Sequence, residues 1–276
     1  MYYLNLLFFI TALGLFLLLY WSIKAWLQSK KLQQILSQPF PQKYENILNT
    51  LTYYQKLSTQ EKNKIKKSIL IFIESKKFIG VKLEITDEIR VTVAFYACLL
   101  LLNIPTKNCY DNLLTIIVYP SHVIYDAARE NGGIVSKEPL LLEGQSANDT
   151  VVISWNDAKK EAYHIGKDNV ILHEFAHEID FLDGEIDGIP PLDESKYAQW
   201  SEVVYNDYNK LKAKAIANRY WGKYKILGNY AATNEAEFFA VATERFLGTP
   251  TALKHHFPDL YNELKDFYKI DPANKF

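Results

Sequence analysis

The sequence predicts a helix-rich α+β domain with a small β-sheet, preceded by one N-terminal transmembrane helix. Three observations carry that expectation. An uncharged apolar run opens the chain, long stretches with apolar residues three and four apart follow it, and only two short β-rich runs interrupt them. With 276 residues, 49% of them hydrophobic, the chain is long enough to bury one sizeable core.

Met1 to Ile23 carry no charged side chain. As a helix this run spans roughly 34 Å, enough to cross a hydrocarbon core of about 30 Å. Tyr2 and Tyr3 at one end, with Tyr20, Trp21 and Trp26 at the other, suit the two membrane interfaces. No Lys or Arg precedes the run and no small-residue cleavage site follows it, so an uncleaved anchor is expected rather than a signal peptide. Lys24, Lys30 and Lys31 come after it. The positive-inside rule then predicts a single-pass protein of the cell membrane, with the bulk of the chain in the cytoplasm. Residues 24–38 read as a juxtamembrane helix or linker, and Pro39 and Pro41 mark the break before a domain over 39–276.

In that domain Ile47, Leu48, Leu51, Tyr54 and Leu57 recur at helical spacing, and residues 44–77 read as two helices. Thr86-Asp87-Glu88 supplies a cap and first-turn acids for the next helix, which runs through Val91, Ala94 and Cys98 to about Leu102. Thr115–Tyr119 and Val151–Trp155 read as strands, and the glycine-bearing stretch between them (Asn131-Gly132-Gly133, Glu143-Gly144-Gln145-Ser146) as loop or hairpin. From Asp168 onward the pattern is mainly helical. Cys98 reads as a buried thiol, and with Cys109 the only other cysteine no disulfide framework is expected. Lys and Arg number 31 against 32 Asp and Glu, so the chain lacks the concentrated positive field that direct nucleic-acid binding needs.

The chemistry-bearing segment is His173-Glu174-Phe175-Ala176-His177, an HExxH match. Residues four apart on a helix share a face, so both imidazoles can point at one ion. Glu174 projects beside them, placed to take a proton from an attacking water. Chance alone gives such a match in a chain of this composition with odds of roughly one in a hundred, so context must strengthen it. Asp168 is a candidate N-cap, and Leu172, Phe175, Ile179 and Leu182 form an apolar stripe, while His173, His177 and Asp180 fall on another face.

A catalytic zinc needs a third protein ligand and one position left for water. Four acids compete for that place. Asp183 stands ten residues after the first histidine, where metzincins put their third ligand, but the glycine of that pattern is replaced by Asp180. Asp180 itself is better suited to bonding a ligand's outer nitrogen. A second helix, starting at Thr233 or Asn234 and buried through Phe238, Phe239, Ala242 and Phe246, carries Glu237 and Glu244. These lie two turns apart, about 10.5 Å, too far to share one ion. Glu237 is favoured as the ligand and Glu244 as a supporting or structural acid. The segment Asp183–Gly188 lacks the alternation and terminal Glu of a calcium loop and reads as a polar turn.

The segments TDEIRV, ACLLLL, VYP, VVISW, NVILHEFAHEIDFLDGEIDGIPPL and YAATNEAEFFAVATERF resemble the Mlc titration factor A family of zinc peptidases, over about residues 39–273. The resemblance implies a gluzincin-like, zincin-type domain. It further implies Zn2+ held by His173, His177 and Glu237, with Glu174 as general base and Tyr230, seven residues before Glu237, assisting at the oxyanion. The implied activity is peptide-bond hydrolysis on a peptide or protein substrate, aminopeptidase action being one form of it and the choice between exo- and endo-cleavage open. Some members of the family bind and sequester a transcriptional repressor of sugar-uptake genes. A regulatory binding protein with a secondary zinc site is therefore the alternative expectation. The N-terminal anchor, which would tie residues 1–23 to the membrane, departs from the soluble members.

Overall fold

The computed structural model describes residues 2–104, 110–121, 149–217 and 222–276. Cys109 and the glycine-bearing stretch within 131–146 lie outside the described residues. The chain divides into two compact units, Met1–Phe40 and Pro41–Phe276.

The first unit is one uninterrupted helix, α1 (Tyr2–Ser37). The anchor and the segment after it, expected as separate elements, are continuous, because nothing in residues 20–37 breaks a helix before Pro39. Its apolar side chains, such as Leu15, Phe16, Leu18 and Trp21, are exposed. The helix is long and apolar enough to cross a membrane. Lys24 and Lys30 fold over the rings of Trp21 and Trp26, at 5.0 and 4.0 Å from the centroids, so ammonium and indole sit at one level.

The second unit opens with α2 (Gln42–Leu48), a single turn α3 (Thr52–Gln55) and α4 (Thr59–Ser75). Two helices were expected here, and the chain makes three. Ser58 starts a new one through a capping box: its hydroxyl accepts from the Glu61 N–H, while Glu61 Oε2 accepts from the Ser58 N–H. Next come β1 (Lys77–Gly80) and α5 (Asp87–Leu100), capped by the Thr86 hydroxyl as the sequence predicts. From Val91 to Leu100 every residue of α5 is buried, Cys98 among them.

Two further strands, β2 (Thr115–Tyr119) and β3 (Thr150–Ser154), complete a parallel sheet of order β1-β2-β3. In the register Phe78↔Ile116↔Val151, one face carries Phe78, Ile116, Val118, Val151 and Ile153, all buried. β2 and β3 pair in parallel, so these two strands are not the two arms of one hairpin. Trp155, expected in the strand, instead opens α6 (Trp155–Ala162).

The remaining α-helices among the described residues are α7 (Val170–Asp180), α8 (Tyr197–Ile216), α9 (Glu235–Gly248), α10 (Pro250–His256), α11 (Pro258–Tyr268) and α12 (Pro272–Lys275). Phe175 of α7 sits among aromatic rings of the core, 5.7 Å from Phe72 and 5.0 Å from Tyr110 between centroids. Leu172, Phe175 and Ile179 are fully buried, about 1.5–3 kcal/mol of transfer free energy for each. That burial fixes the roll of α7 about its axis and so decides where its histidines point.

Candidate metal centre

The N-cap of α7 is Asn169, whose side chain accepts from the Leu172 N–H at 3.0 Å. Asp168, the expected cap, lies one residue too early and instead pairs with Arg245 at 3.2 Å. Leu182 lies beyond the helix, in a 3-10 turn over Phe181–Asp183, so the apolar stripe ends at Ile179. On the opposite face His173 and His177 bring their Nε2 atoms to 3.3 Å from each other.

Asn234 caps α9 by accepting from the Glu237 N–H at 2.8 Å, which fixes Glu237 in the first turn. Its Oε2 lies 3.1 Å from His173 Nε2 and 3.6 Å from His177 Nε2. One atom from each of the three side chains thus falls within 4.8 Å of the others, a spacing that one metal ion can bridge. The donor set fits such an ion, because Glu237 Oε2 is buried and accepts no hydrogen bond among the described residues. Of the other acids, Asp183 is exposed and its Oδ1 accepts from the Glu185 N–H at 3.2 Å, outside the group.

Glu244 lies behind His173. A carboxylate can only accept, so His173 Nδ1 donates to Glu244 Oε1 at 2.8 Å, leaving Nε2 to face Glu237. The other carboxylate oxygen accepts from the Asn169 N–H at 2.9 Å, so Glu244 ties α9 to the start of α7. Asp180, expected to support a ligand's outer nitrogen, does something else: its Oδ2 accepts from the Gly188 N–H at 2.9 Å. His177 Nδ1 has no hydrogen-bond partner among the described residues.

The electrostatics follow from this packing. Burial opposes a proton on His173, but the Glu237 and Glu244 carboxylates outweigh it and raise the imidazole to about 10. Burial likewise opposes charge on Glu237, yet the two imidazoles hold its carboxyl below the usual carboxylate range. Glu174 is half-buried, and that burial raises its carboxyl against the pull of both histidines. Tyr230 begins a 3-10 turn (Tyr230–Ala232) and places its ring 5.7 Å from that of His173, tilted by 40°.

Residues 24–269 match the family described as glucose-regulated metallo-peptidase M90. The chain belongs to this M90 family. Similar sequences include an uncharacterized protein of Synechocystis sp., 32% identical over 91% of this chain and 92% of its own length. Others are the Mlc titration factor A proteins of Serratia proteamaculans (29%, covering 69% of this chain and 72% of the relative) and Klebsiella pneumoniae (27%, covering 78% and 82%). Membership of a metallopeptidase family implies a metal ion, and His173, His177 and Glu237 are the described group able to hold one.

Sequence reasoning missed two residues of this region. Asn169 was legible as a cap type but stood beside Asp168, and only the extended backbone of Asn169 distinguishes them. The bond from the Gly188 N–H to Asp180 depends on tertiary structure, and no local pattern marks it.

Proposed function

We propose that this chain is a membrane-anchored zinc peptidase with a gluzincin-like domain over residues 39–276, facing the cytoplasm. The convergence of His173 Nε2, His177 Nε2 and Glu237 Oε2 carries this reading. Those three residues would hold Zn2+, which when bound supplies Lewis-acid polarisation of the scissile carbonyl and of a water. Glu174, its carboxyl raised by burial, takes the proton of the attacking water and passes it to the leaving amine. Tyr230, beside His173, donates its phenol proton in a hydrogen bond to the oxyanion. Glu244 holds the His173 ring through Nδ1 and would leave Nε2 free to bind the ion. An extended peptide can add to β3, the outermost described strand of the sheet on that side. The apolar α1 supports the anchor, and Lys24, Lys30 and Lys31 after its uncharged run support the cytoplasmic orientation.

The direct test is cleavage of a mixed peptide library by the full chain in detergent. Zinc-loaded protein is expected to cut, a chelator to stop cutting, and restored zinc to recover it. Absence of cleavage by zinc-replete protein would refute the enzyme reading. The relatives named Mlc titration factor A, taken with the family resemblance described above, favour a second role, capture of a transcriptional repressor. Capture that is equal with and without zinc would identify that role as separate from hydrolysis.

A pH dependence follows as well. Metal and proton compete for His173, and the metal-free imidazole is raised to about 10. Zinc binding should therefore release a proton at neutral pH, and affinity should fall about tenfold for each pH unit lowered between about 9 and 7. Calorimetric titrations in buffers of different ionisation enthalpy measure this directly. Affinity independent of pH over that window would contradict it.

A further inference from the structure

The two halves of the centre come from helices whose nearest ends are joined by a chain of buried contacts. Asp180, the last residue of α7, lies three residues after His177 and is fully buried. Its Oδ2 accepts from the Gly188 N–H at 2.9 Å, while Oδ1 has no hydrogen-bond partner among the described residues. Gly188 in turn lies against Glu235, the first residue of α9 and two before Glu237. A Cβ built on Gly188 would meet the Glu235 carbonyl oxygen at 2.5 Å and its carbonyl carbon at 2.7 Å. The Gly188 carbonyl accepts from Trp200 Nε1 at 3.3 Å, and Trp200 stacks edge-on against Phe239 of α9, at 5.9 Å between centroids. At φ 81° Gly188 also holds a backbone conformation that L side chains rarely adopt.

We propose that Gly188 is a spacer that sets the reach of Glu237 towards His173 and His177, with Asp180 as the positioning residue that holds it. The argument is geometric. Glu235 contacts Gly188 through its backbone, so any atom added at Gly188 must displace the first turn of α9, and Glu237 stands on that turn. Backbone does not yield as the tip of a flexible side chain would. Displacement of the carboxylate by a few tenths of an ångström is enough to spoil a site whose ligands demand tight distances. This inference rests on the metal-centre reading above.

The test loads the full chain, in detergent, with Co2+ and follows visible absorption, affinity, and thermal melting with and without the ion. Gly188→Ala is expected to weaken Co2+ binding by about tenfold or more and to alter the absorption spectrum. Gly184→Ala is the matched control: it carries similar backbone strain at φ 100°, but its Cβ meets nothing within 4 Å. That control should lower both melting temperatures alike and leave affinity and spectrum as in the parent. Identical affinity and spectrum in the two variants would overturn the spacer. Should Gly188→Ala fail to fold, Asp180 provides the second route. Asp180→Asn keeps an oxygen for the Gly188 N–H and should bind Co2+ as the parent does, whereas Asp180→Ala should lose about tenfold or more. Parity of those two variants would also overturn it. A parent chain that binds no Co2+ would sink the metal centre itself, an outcome distinct from a parent and a Gly188→Ala variant that bind equally.

Discussion

Glu174→Gln is expected to cut peptide turnover by roughly 100- to 10,000-fold while zinc stays bound. Glu174 stands next to His173 but outside the group whose atoms converge, so its loss should spare the ion. Glutamine keeps the volume of the half-buried side chain and so the packing around it, and removes only the ability to accept a proton. Burial raises the Glu174 carboxyl, which would make it a stronger base towards the attacking water than an exposed glutamate. Metal content and turnover, measured on the same preparation, separate the two effects. Full turnover in the variant would remove Glu174 as the base.

Glu237→Ala should release the metal, and Asp183→Ala should not. Removing a hydrogen-bonding partner behind a metal ligand costs about 10- to 100-fold in affinity, and removing a ligand should exceed that. Alanine at 237 also leaves His173 and His177 without the carboxylate that faces both of them. Asp183, exposed and turned to the Glu185 N–H, has no such place. Zinc titration of both variants gives the comparison. Retention by Glu237→Ala, or loss by Asp183→Ala, would reassign the third ligand.

The parts of this molecule legible in its sequence are those that local physics fixes. The Thr86 cap, the long α5 run and the i, i+4 histidine pair follow from helix geometry alone, and the structure carries all three. Strand β1 was not legible, because Lys77-Phe78-Ile79-Gly80 is short, abuts a helix and becomes a strand only by pairing with β2. Parallel pairing of β2 and β3 is likewise decided by packing rather than by either run of residues. At the site, sequence spacing left four acids in competition, and folding brings Glu237 to the histidines because Asn234 starts its helix at the right residue. Glu244 was marked as a supporting acid, but its bond to the Asn169 N–H comes from a neighbouring helix that no window on α9 reveals.

Beyond its first turn, α9 is enclosed on every side, with each residue from Phe238 to Gly248 buried. Amide protons in such a helix exchange with solvent through global opening rather than local fraying. Glu237 stands in the first turn, one residue before this enclosed stretch, and its backbone N–H is held by the Asn234 cap. A cation binding there would meet a carboxylate carried on a helix already packed in place, and its capture would be spared much of the entropy of ordering a mobile arm.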